Sequence, residues 1–182
     1  MEIDEKTVAE AVKNILEQKG MLAGSAGTAG FPAGTVKTSA SITLDFAEAL
    51  MKRVEVEAVK MGMKVVTAVS DAHANPVAVR CMDGAYIGSY DVALNKTYTA
   101  VAFKMSTEEL GTLSQPGGPL YGIQFTNQGR IVIFGGGVVL RMGDSIIGAF
   151  GVSGGSAEQD TYLAHFAEDT FRDMTGQGKT AR

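Results

Sequence analysis

The chain has one cysteine, two histidines, no tryptophan and four prolines among its 182 residues. A lone cysteine, Cys81, rules out an intramolecular disulfide framework and fits a reducing compartment. Three Cys and His side chains are too few for a typical zinc site, so a metal would have to arrive inside a cofactor or be held mainly by oxygen. No stretch reaches the roughly 18 apolar residues of a membrane span, and no signal-peptide pattern opens the chain. Basic charge is not in excess either: the net charge is −4, with Lys and Arg scattered. A nucleic-acid-binding surface would show a basic stripe. These absences predict a cytoplasmic protein whose partners are neither membrane nor nucleic acid.

Apolar residues are plentiful, at 45% of the chain, enough for a real core. Their spacing divides the sequence. In "IDEKTVAEAVKNILEQKG", Val8, Ala11, Val12, Ile15 and Leu16 recur at helical intervals, with Asp4 as N-cap and Gly20 as stop. Residues 1–20 therefore read as an amphipathic helix. Residues 21–40, rich in Gly, Ala, Ser and Thr, read as a flexible linker with a reach of roughly 25 Å. So short a helix is marginal alone in water. It must dock on its own domain, pair with copies of itself or bind a partner.

Residues 41–174 carry the pattern of an α+β domain, with a tail at 175–182. Leu44, Ala47, Leu50, Met51, Val54, Ala58 and Met61 form one helical face ending at Gly62. "KVVTAVSD" and "PVAVRCMD" read as strands joined by the hairpin loop "AHAN". "SYDVALNKTYTAVAFK" reads as a helix in which Ala93, Ala100 and Ala102 permit close packing. Ser106 and Glu109 form a capping box for a short helix. "RIVIF", "VVLRM" and "SIIGAFGVS" read as strands, the last two joined at Gly143-Asp144. A final helix spans about Ala157 to Phe171. The expectation is a central antiparallel sheet of about five strands flanked by helices.

Gly151-Val152-Ser153-Gly154-Gly155 spells G-x-S-x-G, the nucleophile-elbow pattern, and Asp160 and His165 follow in hydrolase order. The context argues against a triad. Asp160 and His165 fall on one helix, five residues and about 140° apart at 100° per residue. Ser156 and Gln159 match a capping box instead. The stretch reads as a glycine joint before a helix. A second cluster, Gly135-Gly136-Gly137, is neither a Walker loop nor a dinucleotide fingerprint.

"VSDAHANPVAVRCMDGA", "DVALNKTYTAVAFKMST", "QPGGPLYGIQFTNQGRIVIFGGG" and "IIGAFGVSGGSAEQD" together resemble the GlcG/HbpS family, above all the carboxy-terminal domain of PduO-type corrinoid adenosyltransferases. The resemblance spans about Thr43 to Phe171. It implies an α/β/α fold, homo-oligomers of up to eight subunits, and haem or another tetrapyrrole as ligand. It does not imply adenosyl transfer, which PduO proteins perform with a separate amino-terminal domain. Residues 1–40 resemble the helix-plus-linker peptides that direct cargo into bacterial microcompartments. Shell or cargo proteins met through residues 1–20, and a place in the microcompartment lumen, follow from that likeness.

Haem needs an apolar slot, groups for its propionates and usually an axial ligand. His73, in the hairpin turn, is the candidate iron ligand, ahead of His165. Cys81 and Met82 alternate faces of a strand, so at most one points inward. Arg80, Asp83 and Lys96 fall in blocks shared with the family and are candidate ligand contacts. An internal Asp83–Lys96 ion pair is the structural alternative. Gly135, Gly136, Gly137 and Gly154 are candidate backbone contacts, and Tyr86, Tyr90 and Phe103 candidate apolar walls. Two other functions compete with haem binding. One is an enzyme for a small carboxylate or aldehyde using Lys96 and Asp83; the other is an interaction module presenting the amino-terminal helix.

Overall fold

Helix α1, Leu44–Lys60, begins where Thr43 caps it, its hydroxyl accepting from the Phe46 N–H at 3.4 Å. The structure, a computed structural model, describes residues 40–178. The predicted helix at 1–20, the linker as far as residue 39 and the last four residues lie outside them. Ala47, Leu50, Met51, Val54 and Ala58 on α1 are fully buried, as their i, i+3, i+4 spacing requires. Leu44, predicted on the same face, is instead half exposed in the first turn.

Strands β1, Val66–Asp71, and β2, Pro76–Cys81, form an antiparallel hairpin with a register shift at Val69/Ser70. Its turn is organised by Asp71, whose carboxylate accepts from the backbone N–H of His73 at 2.8 Å and of Asn75 at 2.9 Å. Helix α2, Ser89–Phe103, and the short helix α3, Thr107–Leu113, follow. Strands β3, Gly137–Met142, and β4, Ser145–Ser153, make the second hairpin, turning where Gly143 takes a φ of 56°. Helix α4, Ala157–Thr175, starts with the predicted Ser156/Gln159 capping box and runs one turn beyond the predicted end to a left-handed Gly176.

The sheet has four strands, in the order β2-β1-β4-β3, all antiparallel. About five were expected, and "RIVIF" is the difference. Two of its β-branched residues, Ile131 and Val132, are buried, and Ile133 is partly so. Yet the Val132 N–H is satisfied by the Thr99 hydroxyl on α2 at 3.0 Å, so no ladder partner is needed. The segment is core filler with a strand-like composition.

Alternation along the strands builds two layers on the sheet. Val65, Val69, Val138, Leu140, Phe150 and Val152 pack with α1 and with Leu163, Ala164, Ala167 and Phe171 of α4. Val66 and Ala68 face the other way, toward Ala93 of α2. The architecture is α/β/α. Helix α2 lies close to the sheet because two glycines lie beneath it. A Cβ on Gly151 would collide with the Ala93 carbonyl, and one on Gly137 would stand 2.8 Å from the Lys96 carbonyl. Ala93 and Ala100 are buried in that contact; Ala102, also predicted there, is exposed.

Candidate functional site

Lys96 is among the largest fully buried side chains of the described residues. It leaves α2, passes the end of β4 and donates to the Val152 carbonyl at 2.7 Å and to Asp160 Oδ2 at 2.8 Å. Asp160 belongs to the first turn of α4, on the other face of the sheet, and its Oδ1 accepts from the Gly155 N–H at 3.0 Å. The ammonium also lies 4.9 Å from the centroid of Phe134. Burial pushes the Lys96 ammonium below the ordinary lysine range, and Asp160 opposes that shift.

The glycine cluster exists around this pair. Gly136 takes a φ of 111°, and a Cβ there would meet Lys96 Nζ at 2.6 Å and the Asp160 Cβ at 2.9 Å. A Cβ on Gly135 would collide with Thr161. Gly135, Gly136, Gly137 and Lys96 therefore come together as a cross-layer clamp. The alternative pairing of Lys96 with Asp83 is overturned: Asp83 is exposed, and the Lys96 partner is Asp160.

The remaining candidates lie elsewhere. Arg80 grips Glu55 of α1 through Nε at 2.6 Å and Nη2 at 3.0 Å, which ties the edge strand β2 to that helix. Its side chain stays 41% exposed, and Nη1 is not engaged by Glu55. His73 is exposed at the tip of the β1–β2 hairpin, at the other end of β2 from Arg80. Cys81 is exposed, while Met82 packs on the core. Gly154 lines a concavity of about 330 Å³ with Lys64, Gly84 and Tyr86. Tyr86 and Tyr90 are exposed, and Phe103 is half-buried.

The G-x-S-x-G serine is not a nucleophile. The Ser153 hydroxyl is buried and donates to Ser89 Oγ at 3.2 Å. Asp160 is committed to Lys96, and His165 Nε2 lies 3.1 Å from Glu108. No part of a charge-relay arrangement is assembled.

One further feature has no signature in the sequence, a cleft of about 520 Å³ between α3 and the start of α4. Glu108, Gly111, Thr112 and Gln115 form one side, Ala157, Glu158 and Thr161 the other, with Ile133, Phe134 and Gly135 behind. Among these only Gly135 was a sequence candidate. The cleft is made by three segments distant in the chain, which no local motif can announce.

The sequence matches the family described as "Haem degrading protein HbpS-like" over residues 42–168. The chain belongs to that family. It is 44% identical over 135 residues to a 15.0 kDa protein of the dhaT–dhaS intergenic region of Citrobacter freundii, a match covering 74% of this chain and 95% of that one. Its fold is similar to the crystal structure of ORFY from Klebsiella pneumoniae, with a TM-score of 0.74 and 40% identity over 78% of this chain and 97% of the other. It is also similar to PduOC, crystallised as a haem complex, with a TM-score of 0.66 and 37% identity over 70% of this chain and 93% of that one.

The fold can be tested against haem on its own residues. Among the described residues, no group of three or more His, Cys, Asp and Glu side chains is placed to hold a metal ion. A porphyrin supplies four nitrogens and asks the protein for only one or two axial donors. Imidazole is one such donor, and the His73 ring is exposed and makes no hydrogen bond with the described residues.

Proposed function

We propose that this HbpS-family protein binds haem or a related tetrapyrrole, with His73 as axial ligand, and acts as an accessory protein rather than as an enzyme. The observation that carries the reading is its 37% identity to PduOC, which was crystallised with haem, over 93% of that chain. Neutral imidazole is a good iron ligand, and an exposed one at a hairpin tip reaches a flat ligand without disturbing the core. A second copy of the chain would supply the opposite wall, with exposed aromatic side chains such as Tyr86 and Tyr90 available as apolar surface. Arg80 keeps a guanidinium nitrogen for a propionate. Lys96 and the glycines serve the ligand only by holding the loops.

We place the protein in a bacterial microcompartment, with residues 1–20 meeting shell or cargo proteins. The support is the helical stripe of those residues, the linker composition that follows and the likeness to PduO. Fusion of residues 1–40 to a fluorescent reporter tests this in cells that assemble shells. Punctate signal is expected, and diffuse signal overturns it. For the ligand, haemin titrated into the full chain should give a Soret shift that saturates at a fixed stoichiometry. A spectrum that grows in proportion to added haemin overturns the haem reading.

A further inference from the structure

The polar side chains lining the cleft between α3 and α4 present mainly acceptors. Glu108 and Glu158 are carboxylates. Thr112 donates its hydroxyl to the Glu108 carbonyl at 3.3 Å, and Thr161 donates to the Ala157 carbonyl at 2.7 Å. A hydroxyl has one hydrogen, so what both oxygens have left to offer is lone pairs. Gln115 is anchored by its amide nitrogen on the Gly111 carbonyl at 2.9 Å, which leaves Oε1 as the end not so held. Among the described residues, no Lys, Arg or His lines the cleft.

The back wall adds a second constraint. Phe134 is 45% exposed, and its ring carries the Lys96 ammonium 4.9 Å from its centroid. A ring already polarised by a cation is a poor seat for another but a good one for a flat apolar surface. Acceptors at the rim and an aromatic wall behind call for a ligand with N–H donors, positive charge and a planar body. We propose that this cleft is a separate binding site for a small aromatic cation, an aryl ammonium or amidinium, whose N–H groups meet Glu158 and Glu108.

The carboxylates are suited to that task. Ser156 Oγ donates to Glu158 Oε2 at 2.7 Å and holds that carboxyl below the usual range, so it is charged at neutral pH. Glu108 shares Oε2 with His165 and keeps its other oxygen for a ligand. The two propionates of haem carry the wrong sign for this cleft. The site is independent of the haem reading.

Benzamidine is the probe, and benzoate its anionic counterpart. In ¹H–¹⁵N spectra of the full chain, benzamidine should give saturable shifts centred on the amides of Gly111, Gly135 and Thr161, and benzoate none. Thr112→Lys places a cation at the exposed rim, and Glu158→Gln removes one exposed charge. Neither touches the core, and each should weaken benzamidine about two- to fivefold. Equal shifts with benzoate, or benzamidine affinity unchanged in both variants, overturn the assignment. Haemin binding by Thr112→Lys should match that of the unaltered chain, which separates this test from the haem reading.

Discussion

Lys96 Nζ lies 2.8 Å from Asp160 Oδ2, and the two residues come from helices on opposite faces of one sheet. The pair is fully enclosed and joins the two outer layers past the end of β4. Breaking it by one substitution leaves a buried charge without its counterpart. Lys96→Met or Asp160→Leu alone should cost about 3–5 kcal/mol in urea unfolding. The double variant, which removes both charges, should recover much of that loss. A double variant as unstable as the singles would show that packing, not charge, is at stake.

The same lysine gives the stability a definite pH dependence. Burial, only partly offset by Asp160, puts its folded pKa below its unfolded one. Between the two values the unfolded chain binds more protons, so stability rises with pH. The penalty of the buried ammonium is full below the folded value and gone above the unfolded one. Unfolding free energies measured upward from neutral pH should show this rise, and the Lys96→Met/Asp160→Leu protein should lack it.

At the hairpin tip the sign is opposite. Burial raises the Asp71 pKa, but hydrogen bonds from Asn75 and His73 outweigh it and leave the carboxyl below its ordinary value. Its contribution is present above the unfolded pKa and is lost as pH falls through the folded one. Acid should loosen this turn first. Amide protection at His73 and Asn75, measured against the intrinsic exchange rate, should fall only once the pH drops below the ordinary aspartate range, and Asp71→Asn should show that lost protection already at neutral pH.

Gly151→Ala tests the close seating of α2. The added methyl would meet the Ala93 carbonyl, which cannot yield without moving the helix. A loss of about 1–3 kcal/mol is expected, as for other overpacked cores. An unchanged unfolding midpoint would mean that α2 is not held where the structure places it.

Ser153→Ala should remove only a buried hydroxyl contact with Ser89, at about 1 kcal/mol. Hydrolysis of an activated ester by the purified protein should be at background before and after the change. A rate that falls with the substitution would revive the nucleophile.

Elements with local causes were readable in the sequence. The Ser156/Gln159 box, the "AHAN" hairpin loop and the Gly143 hairpin each depend on residues a few positions apart, so pattern alone locates them. "RIVIF" misled because β-branched composition reports burial on a sheet-like surface, whereas strand status depends on whether a partner backbone is there. The glycine run was recognised as special, but its reason, the Lys96 ammonium passing beside Gly136, depends on a contact 64 residues apart between Lys96 and Asp160. The cleft in front of Phe134 has no local signature, since α3, the 133–135 loop and α4 meet only in the folded chain.

The central claim is that an exposed imidazole at a hairpin tip holds haem iron. Haemin titration of the unaltered chain beside His73→Ala measures it most directly, because the residue lies outside the core and its loss should leave folding intact. The account predicts a saturable Soret band in the first and a shifted, weakened one in the second. Identical spectra and affinities in both would contradict it.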